Sequence, residues 1–426
     1  MIKKLLFSIT ACSGFLISCS VSPTTSFIAQ RNGRFEVNGK PYYYVGTNFW
    51  YGAILGSTGQ GGNRERLINE LDFMKANGIT NLRVLVGADG ADGQITKAMP
   101  ALQVAPGVYN DTIFDGLDFL LAEMGKRDMS TVLYLNNTWD WSGGFAQYLR
   151  WTGYGNLPLE GEIAWETYLS EVSKYATCDS CHALFFNHVR RVINRTNRYT
   201  GKKYVDDPAI LSWQVGNEPR ALSKDVKAAF AKWLKEATTL IRSLDGNHLI
   251  SIGSEGQLGC ERDMSLFEAI HADPNVGYLT IHIWPKNWGW IKVPNVTDDL
   301  DTAIKITNSY IAEHIKIAEK LKKPLVVEEF GYPRDHHLYA LSDSTAARDG
   351  YYANILNQVV VSSENGGVLA GCNFWAWGGF GRPAHERWQP WDDYLGDPAH
   401  EEQGLNAVFN TDATVKILKK YAEKIK

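Results

Sequence analysis

Three glutamates in two short stretches have the residue type and setting for acid–base or nucleophilic chemistry. The stretch "LSWQVGNEPR" ends a strand-like run at Glu218, and "PLVVEEFG" ends another at Glu328 and Glu329. A carboxylate is costly to bury, so each of these either reaches solvent or is held there for a function. Glycoside hydrolysis needs one carboxylic acid that protonates the leaving oxygen and a second carboxylate that attacks, or activates water against, the anomeric carbon. Alternation along a strand predicts that Glu328 points to the opposite pleat face from Glu329 and makes a structural hydrogen bond or ion pair.

Polar and aromatic residues also stand near the ends of the other strand-like runs. The candidates are Trp50, Arg83, Asn136, Asn217, Glu255, His282, Trp284 and Trp375. In a barrel of parallel strands all the carboxyl ends meet on one face, which is where the active sites of such barrels lie. The pattern therefore predicts that these side chains converge around Glu218 and Glu329.

Eight β-rich runs alternate with helical patterns along the chain. The predicted strands cover residues 42–51, 81–87, 130–137, 210–218, 249–255, 278–284, 324–331 and 368–378. Most positions in these runs are apolar, which indicates burial on both faces as in a parallel sheet. The alternation predicts an α/β fold with a single (β/α)₈ (TIM) barrel. A doubly wound open sheet is the rival, but "YGAILGSTGQGG" after the first run lacks the phosphate-loop spacing of that fold.

The composition narrows the class of function. The 426 residues are 44% hydrophobic and 21% charged, as expected for an ordered protein with a large core. The formal net charge of -4 argues against a nucleic-acid binder, which would normally carry a basic patch. The 14 tryptophans suit a groove that stacks on sugar rings, although the same residues could fill a large core.

The internal cysteines give no clear signal for a metal or a cofactor. Cys178 and Cys181 are close enough to form a disulfide, or they simply pack. The stretch "CDSCH" matches a haem-attachment pattern, but it occurs once, inside a helical pattern, without an evident partner ligand. No second pair of ligands stands at zinc-finger spacing. We expect neither a metal nor a cofactor.

The N-terminus reads as a targeting segment. A charged start, an apolar stretch and "LISC" resemble a bacterial lipobox, so residues 1–18 would be a lipoprotein signal peptide cleaved before an acylated Cys19. Residues 19–29 would be the tether and residues 30–426 the catalytic barrel. The protein would then be exported and anchored in the outer membrane, facing the periplasm or the cell surface, and would contact the membrane only through Cys19. The alternative is an ordinary secretory signal with an incidental cysteine.

The strand-end motifs resemble those of glycoside hydrolase family 5, a retaining (β/α)₈ family of clan A. The resemblance rests on "GNEP", "HIW" and "EEFG" and covers residues 30–426. It implies that Glu218 is the acid/base and Glu329 the nucleophile. The family's companion residues fall on Arg83, Asn217, His282 and Trp375. The family usually has a tyrosine, whose hydroxyl contacts the nucleophile, where this chain has Trp284.

That departure leaves open which donor reaches Glu329, and Tyr332 is one candidate. Within the family, "GSEG" (253–256), Arg220 and "HIWPKNWGW" (282–290) resemble the bacterial mannanase branch, as does the loop 396–409. The resemblance implies substrate-binding roles for Arg220 and Glu255.

The resemblance implies a retaining endo-β-1,4-mannanase acting on mannan, glucomannan or galactomannan. A β-1,4-glucanase or an exo-acting mannosidase of the same family is the alternative, because long loops after strands two, three and eight could block one end of the cleft. An alternative from another class is a non-catalytic carbohydrate-binding lipoprotein.

Overall fold

The protein folds as a nearly closed barrel of eight parallel strands. The computed structural model describes residues 27–93, 97–155, 157, 162–293 and 295–425. The barrel strands are β1 (Tyr44–Asn48), β2 (Ile79–Leu85), β3 (Ser130–Tyr134), β4 (Ile210–Gln214), β5 (Leu249–Ser251), β6 (Leu279–Ile283), β7 (Leu325–Phe330) and β8 (Leu369–Phe374). Each strand pairs with its neighbour in chain order except β5 and β6, which are the two edges of the sheet, and β8 pairs with β1. Two backbone hydrogen bonds, Gly277 N to Ile250 O and His282 N to Glu255 O, link the β5 and β6 segments. The predicted TIM barrel is confirmed.

A helix follows every barrel strand. These helices are α1 (Arg64–Ala76), α2 (Asp111–Gly125), α3 (Asp179–Ile193), α4 (Lys227–Leu244), α5 (Met264–His271), α6 (Leu300–Leu321), α7 (Ala346–Asn365) and α8 (Thr414–Ala422). Several of these helices begin after a residue whose side chain accepts a hydrogen bond from a backbone N–H of the first turn. Asn63, Asn110 and Asp263 are examples. Left-handed residues Lys322 and Gly366 end α6 and α7.

A small antiparallel sheet covers the amino-terminal end of the barrel. Its strands are Ala29–Arg31, Arg34–Val37 and Lys40–Tyr42. Phe35 is fully buried and packs against aromatic rings at this end of the barrel; its ring centroid lies 5.2 Å from that of Tyr278. Ile28 is buried as well, and Phe27 packs edge-on against His248. Residues 27–29 therefore belong to the folded domain, although the sequence placed them in the tether.

The loops at the other end of the barrel contain further short elements. Three short helices span Gly52–Leu55, Gly144–Trp151 and Trp165–Val172. The 3₁₀ turns of these loops cover Asp140–Ser142, Ser173–Thr177, Lys224–Val226 and Asp335–His337. A further 3₁₀ turn, Tyr204–Asp206, directly precedes β4 at the amino-terminal end. Two-stranded ribbons pair Gln103–Ala105 with Val108–Tyr109 and Trp377–Gly379 with Val408–Phe409. Cys178 and Cys181 form a disulfide at the start of α3, one of the two outcomes that the sequence left open.

The predicted signal peptide and Cys19 lie outside the described residues. None of the helices within the described ranges combines the length and hydropathy needed to span a bilayer.

Candidate active site

The side chains predicted to do chemistry surround a cavity of about 650 Å³ at the carboxyl ends of the barrel strands. Its walls are formed by Trp139, Trp141, Trp165, Asn217, Glu218, Arg220, Lys224, Glu255, Leu258, Glu261, Arg262, Trp284, Asn287, Trp288, Trp290, Glu329, Trp375, Pro398, His400 and Glu401. The strands end earlier than the sequence predicts, at Tyr134, Gln214 and Ser251 in β3, β4 and β5. Polar residues after these strands are therefore loop residues that lie at the carboxyl-terminal end of the barrel.

Glu329 is held by donors from the barrel interior. The guanidinium of Arg83, on β2, donates to its Oε1, and the indole Nε1 of Trp284 donates to its Oε2 at 3.3 Å. Trp284 thus supplies the N–H that takes the place of the family's tyrosine hydroxyl. Tyr332 does not fill this role, because its hydroxyl donates to the carbonyl of Val296 at 2.6 Å.

A β-bulge brings both glutamates of β7 into the barrel. The pairing with β6 skips one residue, because Val327 faces Ile281 while Glu329 faces His282. Glu328 is the extra residue, so it also points inward, and the prediction that it faces the opposite side of the strand is wrong. Alternation holds only where pairing is regular, and a bulge cancels it.

Glu328 lies deeper in the barrel than Glu329 and is fully buried. It accepts hydrogen bonds from Gln214 Nε2 at 2.6 Å and from the Tyr278 hydroxyl at 3.3 Å, and it lies 3.5 Å from Arg83 Nε. Its predicted structural role in hydrogen bonding and ion pairing agrees with these contacts.

Glu218 stands in the loop after β4 with an unusual backbone. Its φ is 48°, a left-handed value that costs a non-glycine residue of the order of 1–3 kcal/mol. The residue that follows is proline, which further restricts the backbone of the residue before it. The side chain accepts from Trp139 Nε1 on Oε2 and lies 2.8 Å from His282 Nδ1 through Oε1. The strained backbone and the two partners aim this carboxylate at the cavity.

Glu218 and Glu329 are close enough to act on one bond. One carboxylate oxygen of Glu218, one carboxylate oxygen of Glu329 and one ring nitrogen of His282 all lie within 4.8 Å of one another. Retaining glycosidases hold their carboxyl groups about 5 Å apart, whereas inverting enzymes leave about 6.5–9.5 Å for a water. The spacing is therefore that of a retaining pair.

The same three groups share protons. Burial opposes a charge on His282, but the carboxylates of Glu329, Glu218 and Glu328 raise its pKa to about 9. Burial acts to raise the pKa of Glu218, but the hydrogen bond and the charge of His282 lower it below the ordinary value. Burial raises the pKa of Glu329 to about 7, although His282 and Arg83 oppose that rise. The proton shared with Glu218 therefore resides mainly on His282.

Arg220 and Glu255 form an ion pair beside the acid. Both guanidinium Nε and Nη2 of Arg220 donate to the Glu255 carboxylate, and the guanidinium carbon lies 5.3 Å from the ring centroid of Trp139. Both residues line the cavity, as the substrate-binding roles inferred from the sequence require. Because the pair is neutral overall, it offers hydrogen bonds to a sugar without an isolated buried charge.

Two of the predicted substrate-binding residues do not reach the cavity. Trp50 is buried, and its indole N–H donates to the carbonyl of Gly396 at 2.7 Å. Asn136 is buried at the end of β3, where its Oδ1 accepts from the backbone N–H of Asn137. Neither side chain lines the cavity in this structure, because the loop after β8 covers Trp50 and Asn136 is enclosed by its neighbours, so their substrate-binding roles stay a prediction.

Arg83 and His282 are also fully buried, and they contact Glu329 and Glu218. Arg83 Nη2 donates to Asn217 Oδ1 at 2.8 Å, so one guanidinium orients residues on both sides of the site. Asn217, Trp284 and Trp375 line the cavity as predicted.

Much of the aromatic lining comes from tryptophans to which the sequence assigned no individual substrate-binding role. Trp139, Trp141 and Trp165 come from the loop after β3, and Trp288 and Trp290 come from the loop after β6. The signal was present, since these loops carry an unusual density of tryptophan, but loop conformation cannot be inferred from periodicity.

The mouth of the barrel is closed on one side by three interlocked loops. Met99, in the loop after β2, and Tyr394, in the loop after β8, exchange hydrogen bonds of 2.8 and 2.9 Å between the Tyr394 hydroxyl and the Met99 backbone. Ala98 N donates to the carbonyl of Trp141, in the loop after β3, at 2.7 Å. No residue from the loops after β1 and β2 is among the described residues that line the cavity. Among the described residues, the cavity therefore extends from the catalytic pair toward the loops after β3 to β6 and β8, and not toward those after β1 and β2.

Comparison with known proteins gives the family. A model described as "GH family 5 beta-mannosidase-like" matches residues 25–426. The putative mannan endo-1,4-beta-mannosidase 9 of Oryza sativa subsp. japonica is 32% identical over 355 residues, which cover 80% of this chain and 79% of the rice protein. A glycoside hydrolase family 5 mannosidase from Rhizomucor miehei is 35% identical, with a TM-score of 0.87 over 94% of this chain and 98% of that one.

The endo-1,4-beta-mannanase from Rhizomucor miehei is more distant, at 21% identity and a TM-score of 0.68 over 94% of this chain and 99% of that one, and shows the fold alone. The bacterial branch inferred from the sequence stays a prediction, since the relatives named here are from a plant and from Rhizomucor miehei. The chain belongs to glycoside hydrolase family 5 and is a glycoside hydrolase built on a TIM barrel.

Proposed function

We propose that this enzyme is a retaining β-mannosidase that removes mannosyl units from the non-reducing ends of β-1,4-mannooligosaccharides and mannan. The observation that carries the proposal is the closure of the mouth by the loops after β2, β3 and β8. An endo-acting enzyme must accommodate two or more sugars on the glycone side of the cleaved bond, whereas here the wall at Trp141 and Trp375 leaves room for one.

The position of the acid fixes which side is open. The general acid contacts the leaving oxygen, so the aglycone begins at Glu218 and continues past Trp139 and Arg220. The mannosyl unit to be released lies over Glu329 and Trp375. Beyond it the indole of Trp141 packs edge-on against Trp375, with 6.4 Å between ring centroids. A second glycone sugar would meet this wall.

The residues support a double displacement. The Glu329 carboxylate forms a bond to the anomeric carbon while the carbon–oxygen bond to the aglycone breaks, and Glu218 gives its proton to the departing oxygen. Glu218 then takes a proton from water, the oxygen of that water bonds to the anomeric carbon, and Glu329 leaves. Two inversions give net retention.

His282 supplies the proton for the first step. Its Nδ1 lies 2.8 Å from Glu218 Oε1, so transfer across that hydrogen bond gives a neutral imidazole and a protonated Glu218. The total charge of the network is unchanged. Glu329 is ionised above its pKa of about 7, beside Arg83, whose guanidinium stays positively charged throughout.

The named relatives support a mannose-based substrate. The Rhizomucor miehei mannosidase has been solved in complex with mannosyl-fructose, a short saccharide. The curated relatives named as mannan endo-1,4-beta-mannosidases favour the second candidate, an endo-β-1,4-mannanase.

Product analysis distinguishes the two candidates. Mannopentaose with a reducing-end fluorescent label should give mannose and labelled mannotetraose first, followed by a stepwise ladder. Galactomannan viscosity should fall slowly relative to reducing-sugar release. Early labelled mannobiose or mannotriose with a rapid loss of viscosity would establish endo action instead. Faster cleavage of cello-oligosaccharides than of manno-oligosaccharides would assign the enzyme to the β-glucanases.

We also propose that the enzyme is exported and lipid-anchored through Cys19, on the strength of the "LISC" motif. Wild-type protein expressed from its full gene in a bacterial host should fractionate with membranes and incorporate labelled palmitate. Cys19→Ala should lose both properties. A wild type that is soluble and unlabelled would contradict the proposal.

A further inference from the structure

The acid/base residue adopts a backbone conformation that must be imposed from outside. Glu218 has a left-handed φ of 48° and precedes Pro219. The direction of a side chain follows from its backbone, so relaxation of this residue toward an ordinary extended conformation would turn the carboxyl away from the cavity.

Two hydrogen bonds hold the peptide units on either side of Glu218. Its N–H donates to the carbonyl of Gly253 at 3.0 Å, a backbone contact that any residue at 218 could make. Its carbonyl accepts from the hydroxyl of Thr138 at 2.7 Å. Thr138 is itself fully buried, and its N–H donates to the carbonyl of Asn217 at 3.0 Å.

Thr138 is followed by the residue that holds the other end of the glutamate. The indole N–H of Trp139 donates to Glu218 Oε2, so consecutive residues fix the backbone carbonyl and the carboxylate of the acid. Thr138 is not among the residues that line the cavity. A change at Thr138 can therefore alter the acid without removing a surface that contacts sugar.

We propose that Thr138 is a positioning residue that keeps the carboxyl of Glu218 in line with the leaving oxygen. The proposal rests on the assignment of Glu218 as acid/base. Loss of the Thr138 hydroxyl should slow only the steps in which Glu218 transfers a proton. Attack by Glu329 on a substrate whose leaving group needs no proton should proceed at the normal rate.

The test compares two substrates in one variant. 2,4-Dinitrophenyl β-mannoside departs without protonation, whereas mannobiose requires the acid. In Thr138→Val, kcat/KM for mannobiose should fall by about 10- to 100-fold, the cost expected for a misplaced catalytic group. Its kcat/KM for the dinitrophenyl glycoside, which reports formation of the glycosyl–enzyme, should stay within about twofold of the wild type. Thr138→Ser retains the hydroxyl and should restore mannobiose hydrolysis.

Thr131→Val is the matched structural control. Thr131 is a buried threonine on β3 whose hydroxyl donates to the carbonyl of Leu82 at 2.9 Å, away from the cavity. It should leave the ratio of the two kcat/KM values unchanged. An equal loss on both substrates in Thr138→Val, or no loss on either, overturns the proposal. If Thr138→Val fails to fold, the same ratio measured in Thr138→Ala decides it.

Glu218→Ala separates failure of this proposal from failure of the mechanism. In that variant the loss of kcat/KM on mannobiose should exceed the loss on the dinitrophenyl glycoside by a larger factor than in Thr138→Val. If Glu218→Ala loses kcat/KM equally on both substrates, the acid/base assignment is wrong. If only Thr138→Val loses it equally on both, the positioning proposal alone is wrong.

Discussion

The nucleophile and the acid stand in two regions built by different means. Glu329 lies on a strand, and its ionic partner Arg83 lies on another, so strand pairing, including the bulge at Glu328, places both. Glu218 lies four residues beyond the end of β4, in a left-handed conformation, and its donor Trp139 comes from another loop. A carboxylate that must stay unprotonated to attack is set on the rigid barrel beside a permanent cation. A group that must gain and lose a proton is set among loop residues and a titratable histidine.

The difference between the regions predicts which substitution is most severe. Glu329→Ala should lower turnover of mannobiose by roughly 10⁴-fold or more, because no glycosyl–enzyme bond can form. The dinitrophenyl glycoside should be equally poor, since an easy departure does not replace a missing nucleophile. Steady-state rates on both substrates test this, with Glu328→Gln as the neighbouring control that keeps the nucleophile. Substantial activity of Glu329→Ala on the aryl glycoside would contradict the assignment.

Substitution in the acid region should instead lower activity on mannobiose much more than on the dinitrophenyl glycoside. Glu218→Ala should lose about 10²–10⁴-fold on mannobiose, the usual contribution of general acid catalysis. It should still form the glycosyl–enzyme from the dinitrophenyl glycoside. Added azide should then speed turnover and give the β-mannosyl azide, because azide attacks the α-linked intermediate from the β face. An α-azide from this variant would place the nucleophile elsewhere.

The indole of Trp284 belongs to the nucleophile region and should matter less. Trp284→Phe removes the N–H that donates to Glu329 but keeps an aromatic ring in the cavity wall. A hydrogen bond to a charged group is worth about 1.5–3 kcal/mol, so kcat/KM should fall by about 10-fold or more on both substrates. Trp284→Tyr, which restores the family's usual residue, should recover part of the loss. Equal kinetics for Trp284→Phe and the wild type would show that this donor is dispensable.

The dependence of kcat/KM on pH should have an acid limb set by the nucleophile region and an alkaline limb set by the acid region. Glu329 must be ionised to attack and its pKa is raised to about 7, so activity should be lost as pH falls through a limb above the ordinary glutamate range. The proton shared by His282 and Glu218 is lost as pH rises through the His282 pKa of about 9, so activity on mannobiose should fall there too. On the dinitrophenyl glycoside the acid limb of kcat/KM should remain and the alkaline limb should disappear. An alkaline limb that is the same for both substrates would contradict this division.

The regular part of the molecule was predictable from the sequence. Alternating apolar strands and amphipathic helices gave the barrel, and the ends of those strands gave Glu218, Glu329 and Glu255. The barrel prediction succeeds because burial on both faces of a parallel sheet imposes a pattern that a single sequence displays.

The irregular features could not be read in the same way. The bulge at Glu328 depends on the register with a strand about 45 residues earlier, which local pattern does not encode. The burial of Trp50 depends on a loop that begins after residue 374. The left-handed backbone of Glu218 runs against its own propensity and its proline neighbour, as expected where function overrides local preference.

The covalent intermediate gives the most direct test of the central claim, that Glu329 is the nucleophile of a retaining mannosidase. 2-Deoxy-2-fluoro-β-mannosyl fluoride should form this intermediate and release it slowly, because the ring fluorine destabilises both transition states while the anomeric fluoride remains a good leaving group. Digestion and tandem mass spectrometry should find one 2-fluoromannosyl ester, on Glu329. A label on Glu328 or Glu218, or no label on an enzyme that turns over mannobiose, would contradict it.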